Sequence, residues 1–292
     1  MPASTSTVLA VGASGRFAGL VVPELARRGA RVRGLIRRPD DADRVMSNGA
    51  AEVAVGDLTD PASLDAALEG VASVFYIAPA FLPSEAEVGL GVVEAARRAG
   101  VRRFVFSSVI HPVLSELDNH RAKAPVKEAI IDSGMEYVLL QPALFMQNLA
   151  GGWPTVVQSG TSTEPWSPDT RFSRVDYRDV AEVAALALTQ DHLNWGTYQL
   201  CAEGWLNRHD LAALMSEVLG RTIQVGTVGQ ERRGGAPAGG MQKMIEWYNH
   251  HGLLGNPLTL RAILGREPRT LRAYIEELAA QPPSAEPRAS AS

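Results

Sequence analysis

The stretch from Val8 to Gly19 is an apolar run that ends in a glycine turn at Gly12 and Gly15 and opens at once into a helical pattern. A pyrophosphate needs backbone approach without Cβ atoms in the way, and N–H groups at a helix N-terminus aimed at its charge. Gly12 and Gly15 supply such a turn, Ala18 takes the close-packing position, and Ser14, Arg16 and Phe17 stand at the same mouth. An isolated glycine turn can equally well do no more than join a strand to a helix. Arg37 and Arg38 follow the second apolar run, where an Asp or Glu would recognise a ribose 2′-hydroxyl. Two guanidiniums suit a 2′-phosphate instead, because a carboxylate would repel it and Arg binds phosphate in bidentate geometry. The expected cofactor is therefore NADP(H) rather than NAD(H); a solvated basic helix start is the competing reading of the two arginines.

Such a turn works only on a particular scaffold, and the next hundred residues carry it. Short apolar runs, predicted as strands at Thr7–Val11, Arg31–Ile36, Ala51–Val55, Ser73–Ile77, Arg103–Phe106 and Tyr137–Leu140, alternate with helical periods. The helices are predicted at 15–28, 40–47, 61–68, 83–99 and 121–132. Gly29 and Gly100 follow two of them as C-terminal caps, and Asp60 with Pro61 starts another. Strand, helix, strand in unbroken repetition implies right-handed crossovers and a doubly wound parallel sheet, an α/β fold of the Rossmann type. Residues 1–150 are read as the NADP(H)-binding domain, with 171–200 packing back onto it through a helix ending at Thr189. Residues 151–170 read as an irregular, Gly- and Pro-rich excursion carrying Trp153 and Trp166. Together with 201–280, where helical period returns at 208–219, 241–251 and 270–280, they form a smaller substrate-facing α+β region. The stretch 232–240 is Gly- and Pro-rich and predicted mobile, and 281–292 has the composition of a disordered tail.

The bulk composition narrows the partners. A formal net charge of -4 and a pI of about 5.9 give no broad positive field for nucleic acid or an anionic membrane. A lone Cys201 excludes an intramolecular disulfide and a multi-cysteine metal cluster, and the six histidines are scattered, so no metal site is expected. The N-terminus reads neither as a signal peptide nor as a membrane span, which places the chain in the cytoplasm as an expectation. A homodimer is left open.

Taken in combination, these segments resemble the NmrA-like branch of the atypical short-chain dehydrogenases/reductases. The likeness covers about residues 7–225 and rests on the Gly12–Gly15 turn, Val32 to Arg37, and Gly56, Asp57 and Leu58 with Pro61 and Leu64. It continues through Gly70-Val71, Phe104 to Ser108, Tyr137 to Pro142, Phe145 to Asn148, Val175 to Ala181, and Leu219 to Arg221. The resemblance implies that Asp57 and Leu58 neighbour the adenine and that Ile77, Ala78 and Pro79 lie beside the cofactor; Asp57 can also be read as a turn cap. It also aligns Lys123 with the lysine that, in the wider superfamily, holds the nicotinamide ribose and lowers the pKa of a tyrosine four residues earlier. Here that earlier place is Asn119, and none of the six tyrosines has a lysine four residues later. A proton donor must then come from His120, from water or from the substrate, with an ordinary exposed helix histidine as the other reading of His120.

Ser107 and Ser108 close the fifth strand, where they orient a ligand or simply form a turn. Ser108, Phe145, Met146, Asn148 and Trp166 are the expected substrate-facing residues, joined by some of Trp153, Trp247 and Tyr248; core packing is the other reading of the aromatics, and several of them in one cleft would favour a flat, apolar molecule. The reading that follows is an NADPH-dependent oxidoreductase transferring hydride to a conjugated carbonyl, quinone-like or aromatic substrate. Its rival is a sensor of the same fold that binds NADP(H) without catalysis and contacts a protein partner.

Overall fold

The structure, a computed structural model, describes residues 6–79, 82, 84–226 and 239–281. The stretch predicted mobile and the predicted tail fall outside these residues, apart from Gly239, Gly240 and Gln281. Six strands, β1 (Thr7–Val11), β2 (Arg31–Ile36), β3 (Glu52–Val55), β4 (Val71–Ile77), β5 (Arg103–Ser107) and β6 (Glu136–Pro142), coincide with the predicted ones to within two residues at each end. Between them run α1 (Ala18–Arg27), α2 (Ala42–Ser47), α3 (Pro61–Leu68), α4 (Glu85–Arg98), and the successive helices α5 (Asp118–Arg121) and α6 (Lys123–Asp132). The single helix predicted over 121–132 thus begins earlier and is divided at Ala122.

Beyond β6 come two short parallel pairs, β7 (Leu144–Phe145) with β9 (Arg174–Val175) and β8 (Thr161–Ser162) with β11 (Gln224–Val225). The helices here are α7 (Leu149–Ser159), α8 (Tyr177–Thr189), α9 (Arg208–Leu219), α10 (Gly239–His250), α11 (Leu258–Leu264) and α12 (Leu271–Ala280). The seven-stranded sheet is parallel throughout, in the order β10-β6-β5-β4-β1-β2-β3, where β10 is Gly196–Leu200. The order reverses between β1 and β4, so a crevice opens there beyond the carboxyl ends of the strands.

Two departures from the predicted elements have physical causes. Residues 151–159, expected irregular, belong to α7 because Leu149, Trp153 and Val156 repeat at helical spacing and bury one face against α9 and α12. That burial outweighs the weak propensity of Gly151, Gly152 and Pro154. Strand β10 escapes a hydrophobic reading because its exposed edge leaves only Leu200 buried.

Strand residues that point to one face pack on α1 and α8, and those on the other face pack on α3, α4 and α6. A third cluster joins α7, α9 and α12. Helix α8 runs under the sheet with nine buried residues, and Arg103 on β5 terminates it. The Arg103 guanidinium, 1% exposed, donates to the carbonyls of Ala187 and Gln190 at 2.9 and 2.7 Å and to the Glu136 carboxylate at 2.7 and 2.8 Å. A cation at a helix C-terminus answers both the unpaired carbonyls and the negative end of the dipole.

Replacing Arg103 by Ala strands those carbonyls and is expected to cost roughly 3–5 kcal/mol, the scale of breaking a buried ion pair. Arg103→Lys recovers less than half, since an ammonium does not reproduce the planar fork. Denaturant midpoints of the two variants check this; a loss under about 1 kcal/mol, the scale of an exposed pair, refutes the capping role.

Candidate functional site

Two cavities open along the carboxyl edge of the sheet. The first, about 410 Å³, is lined by Gly12, Ser14 and Gly15 from the β1 turn, Arg37 after β2, Asp57 and Leu58 after β3, and Pro79 after β4. Gly12 has φ +72°, a backbone state that disfavours any other residue, and a Cβ on Gly15 would stand 3.0 Å from the Gly12 carbonyl oxygen. The Gly15 N–H closes this turn on the same oxygen at 2.7 Å. Arg37 is exposed at the rim and makes no hydrogen bond or ion pair among the described residues. Arg38, in contrast, is turned to Asp41 at 3.3 and 3.4 Å and does not line the cavity, so its charge is already answered. Arg16 lies with its guanidinium 5.4 Å from the Phe17 ring and lines neither cavity.

Asp57 unites both roles weighed for it, bordering the cavity while capping its own turn. Its carboxylate accepts from the Thr59 N–H and hydroxyl at 2.8 and 2.7 Å. These bonds hold it below the usual carboxylate range, and the charge of Arg37 adds in the same direction.

The second cavity, about 290 Å³, adjoins the first where β4 ends, for Ile77 and Ala78 line it and Pro79 lines the other. Its walls are apolar and aromatic: Phe17 from the head of α1, Phe145 from β7, Trp166, and Tyr248 and Met244 from α10. Of the expected substrate-facing residues, Ser108, Phe145, Asn148 and Trp166 meet here, whereas Met146 is buried in the cluster of α7, α9 and α12. Trp153 lies in the α7, α9 and α12 cluster instead, and Trp247 packs on the core without lining the cavity. Phe17 and Phe145 meet edge to face with centroids 4.5 Å apart, and Tyr177 at the start of α8 packs against both. The Tyr177 hydroxyl donates to Ser107 Oγ at 3.0 Å, and burial pushes its pKa above the ordinary tyrosine value. Tyr177 is thus a strut behind the cavity wall.

The polar end of this cavity is formed by Ser108, Asn119 and Lys123. Ser108 Oγ and Asn119 Oδ1 are buried without a hydrogen-bond partner, a costly state that a ligand's polar atoms would relieve. Among the described residues, Lys123 is the one charged side chain in the lining. Its ammonium is buried and paired with the Glu85 carboxylate, and it also donates to the Asn119 carbonyl at 3.4 Å.

His120 does not join this group. Its side chain is fully buried, lines neither cavity, and bonds through Nδ1 to the His111 carbonyl oxygen at 3.0 Å. Burial lowers its pKa to about 4, so it is neutral at physiological pH and holds no spare proton. Both sequence readings of it, acid and exposed helix residue, give way to a third. His111 is strained at φ +52°, its Nε2 lies 2.7 Å from the Leu254 carbonyl oxygen, and His120 supports it from beneath. The two histidines brace the loop after β5 that carries Val109 and Ile110 into the cavity wall. Sequence reasoning also passed over Met244, Leu253 and Glu85. For Glu85 the one available signal was a carboxylate four residues before a glycine on the buried face of a helix.

Among the described residues no group of three or more His, Cys, Asp or Glu is placed to hold a metal, and no helix is long and apolar enough to cross a membrane.

The model of the NmrA-like family matches residues 4–277. An NAD(P)H azoreductase of Xenophilus azovorans is 29% identical over 283 residues, covering 94% of this chain and 98% of the relative. In fold, the chain resembles an NADPH-dependent quinone oxidoreductase from Escherichia coli complexed with NADPH (TM-score 0.82, 21% identity, 94% of this chain and 99% of the other). It also resembles a Citrobacter triphenylmethane reductase complexed with NADP(H) (TM-score 0.81, 22% identity, 94% and 100%). The negative transcriptional regulator NmrA in complex with NADP shares the fold as well (TM-score 0.77, 18% identity, 94% and 95%).

The neutral burial of His120 makes a measurable contribution. Its folded pKa of about 4 lies below the ordinary value of 6.5, so below pH 6.5 the unfolded chain binds a proton that the folded one refuses. Its contribution is complete above pH 6.5 and is lost as the pH falls toward 4, by about 3 kcal/mol in all. In His120→Gln, stability measured by urea denaturation should fall less steeply between pH 7 and pH 4.5 than in the wild type. Equal slopes would mean that His120 titrates normally.

Proposed function

The chain belongs to the NmrA-like family, and from that premise we propose that it is an NADPH-dependent reductase of small, flat, quinone-like or dye-like acceptors. The observation that carries the reading is the joining of two unlike cavities at the end of β4. One is a glycine-lined, arginine-rimmed cradle; the other is an aromatic cavity whose few polar atoms lie buried and unpaired at one end. The residues fit the cofactor. The N–H groups of the Gly12–Gly15 turn suit a pyrophosphate, Arg37 a 2′-phosphate, and Asp57 and Leu58 the adenosine side. Ile77, Ala78 and Pro79 border the span between the cavities, and Lys123 stands at the nicotinamide end. When bound, the cofactor supplies a hydride and the protein supplies position, exclusion of water and charge. The azoreductase and the two reductases of similar fold support this reading.

Within the second cavity, Phe17, Phe145 and Trp166 favour a planar acceptor lying flat against them. Ser108 offers its unpaired hydroxyl to an oxygen on the acceptor's polar edge, and Asn119 Oδ1 accepts an N–H or O–H there. An ammonium has three N–H donors; Lys123 spends one on Glu85 and one on Asn119, which leaves one for a ribose hydroxyl or an acceptor oxygen. The rival reading, a sensor that binds NADP(H) without chemistry, is favoured by Asn119 standing where a tyrosine would protonate the product, and by the regulator of similar fold. The aromatic cavity beside the cradle supports the reductase, since a sensor has no need to hold a flat second ligand there.

The test is a fluorescence titration with NADPH and NADH, followed in the same cuvette by quinones and cationic dyes while nicotinamide absorbance is recorded. Wild type should bind NADPH more tightly than NADH and oxidise it only when an acceptor is present. Arg37→Glu should weaken NADPH by about 10- to 100-fold, the worth of a charge-assisted hydrogen bond of about 1.5–3 kcal/mol, and leave NADH nearly unchanged. Tight binding without turnover on any acceptor would make the protein a sensor. Equal weakening of both cofactors would remove Arg37 from the 2′-phosphate.

A further inference from the structure

Glu85 and Lys123 form an ion pair between two helices that are held unusually close. Glu85 is the first residue of α4 and Lys123 the first of α6. One turn along α4, a Cβ on Gly89 would stand 2.5 Å from Cγ2 of Val126, which lies three residues after Lys123 on α6. Only a glycine tolerates that approach, and it is the approach that brings the carboxylate to the ammonium. Both side chains are buried, Glu85 at 3% exposure and Lys123 at 9%. They do not face the same space. Lys123 lines the aromatic cavity, whereas Glu85 lines a separate cleft of about 580 Å³ bordered by Asp118, Arg121 and Pro125; Asn119 borders both. The ion pair and Asn119 are therefore the partition between the two.

Resting on the reductase reading above, we propose that Glu85 is the proton inlet of the site, passing protons from water in the outer cleft to Lys123 and so to the acceptor. As a carbonyl or quinone acceptor takes a hydride at carbon or oxygen, the free N–H of Lys123 gives its proton to the oxygen that gains the electron pair. The acceptor is reduced, the nicotinamide oxidised, and Lys123 left as a neutral amine. The Glu85 carboxylate is then a buried anion without its counter-charge, a costly state that uptake of a proton relieves. It takes a proton from hydronium or a buffer acid in the cleft and hands it to the Lys123 amine, which restores the ion pair. The step consumes one external proton per hydride and needs no other reactant.

Among the described residues no other group at the cavity serves as well. His120 is neutral and outside the lining, Tyr177 is committed to Ser107, and burial raises the pKa of Tyr248. Tyr76 has a buried, unpartnered hydroxyl, its pKa raised by burial and by the charge of Glu85, and it lines neither space.

The proposal separates acceptors by their proton demand. Reducing 1,4-naphthoquinone to its hydroquinone takes a hydride and a proton; reducing the cationic dye crystal violet to its neutral leuco form takes a hydride alone. In stopped-flow multiple turnovers with NADPH in excess, Glu85→Gln should slow naphthoquinone reduction after the first turnover at least about tenfold and raise its solvent deuterium isotope effect, because Lys123 spends its resting proton in the first cycle and must be recharged before each later one. Crystal violet reduction and the NADPH dissociation constant should stay within a factor of about two, which also shows that the variant is folded. In Glu85→Ala, added formate should restore the quinone rate by supplying an acid in the vacated cleft. Quinone reduction untouched by Glu85→Gln, equal slowing of both acceptors, or no effect of formate would each overturn the inlet. A wild-type protein that binds NADPH and reduces neither acceptor would overturn the reductase reading itself, a distinct result.

Discussion

The site hangs on one buried helix whose two ends are both closed by charge. At its N-terminus, Asp176 accepts from the Arg178 N–H at 2.9 Å and from Gln147 Nε2 at 2.7 Å, while Gln147 Oε1 accepts the Tyr177 N–H at 2.9 Å. Burial works to raise the Asp176 pKa, but these bonds and the Arg178 guanidinium hold it below the usual range, so the cap stays ionised. At the C-terminus, Arg103 satisfies the last carbonyls. A helix inside a fold has no water to complete its first N–H and last C=O groups, so α8 can run beneath the sheet only because both sets are met by side chains. Once it does, Tyr177 is fixed between Phe17, Phe145 and Ser107, and the head of α1, the β7 strand and the end of β5 acquire a common reference. Asp179, one turn further along and fully buried, accepts from the Arg269 N–H at 2.7 Å and from Arg266 at 2.9 Å, which moors the α11–α12 connection to the same helix.

Much of this was legible in the chain, for reasons that differ from segment to segment. The five strands β1, β2, β4, β5 and β6 lie inside the sheet with core on both faces, so each is written as an apolar run between turn residues; β3, at the sheet edge with no buried residue, is marked only by its alternating Val53 and Val55 and its place in the repeat. The glycine turn is legible because steric need admits so few residue types. The contrast between Arg37 and Arg38 is not, since both have the same chemistry and only the short helix after β2 places Asp41 against the second. His120 could not be read either: its burial comes from α5 folding beneath a loop whose strain at His111 leaves no mark in the sequence. Strand β10 is hidden for the opposite reason, being half-exposed at an edge and held by Trp195, whose N–H reaches the Tyr137 carbonyl at 2.7 Å. Glu85 illustrates the general limit. A carboxylate at a helix start is ordinary at the positive end of the dipole, and only the contact of Gly89 with Val126 makes it a buried partner of Lys123.

The distribution of polar atoms around the aromatic cavity bears on what it can distinguish. Apolar walls reject poorly: they gain from any flat surface of suitable size, and an added or missing methylene changes binding by only about 1–3 kcal/mol. Strong rejection comes from buried polar groups left unpaired by the wrong ligand, and here those groups, Ser108 Oγ, Asn119 Oδ1 and the third N–H of Lys123, are gathered at one end. A ligand must therefore present a polar edge on one side and may vary on the other. The same asymmetry bears on Asn119, which stands where the resemblance to the wider superfamily implies a tyrosine. An amide there cannot donate a proton to an oxyanion and remain stable, but it keeps the cavity polar at the point where Lys123 enters, and its backbone carbonyl holds the ammonium in place. Selectivity by shape and polarity at one end, with breadth elsewhere, is what an apolar cavity of this construction imposes on whatever it binds.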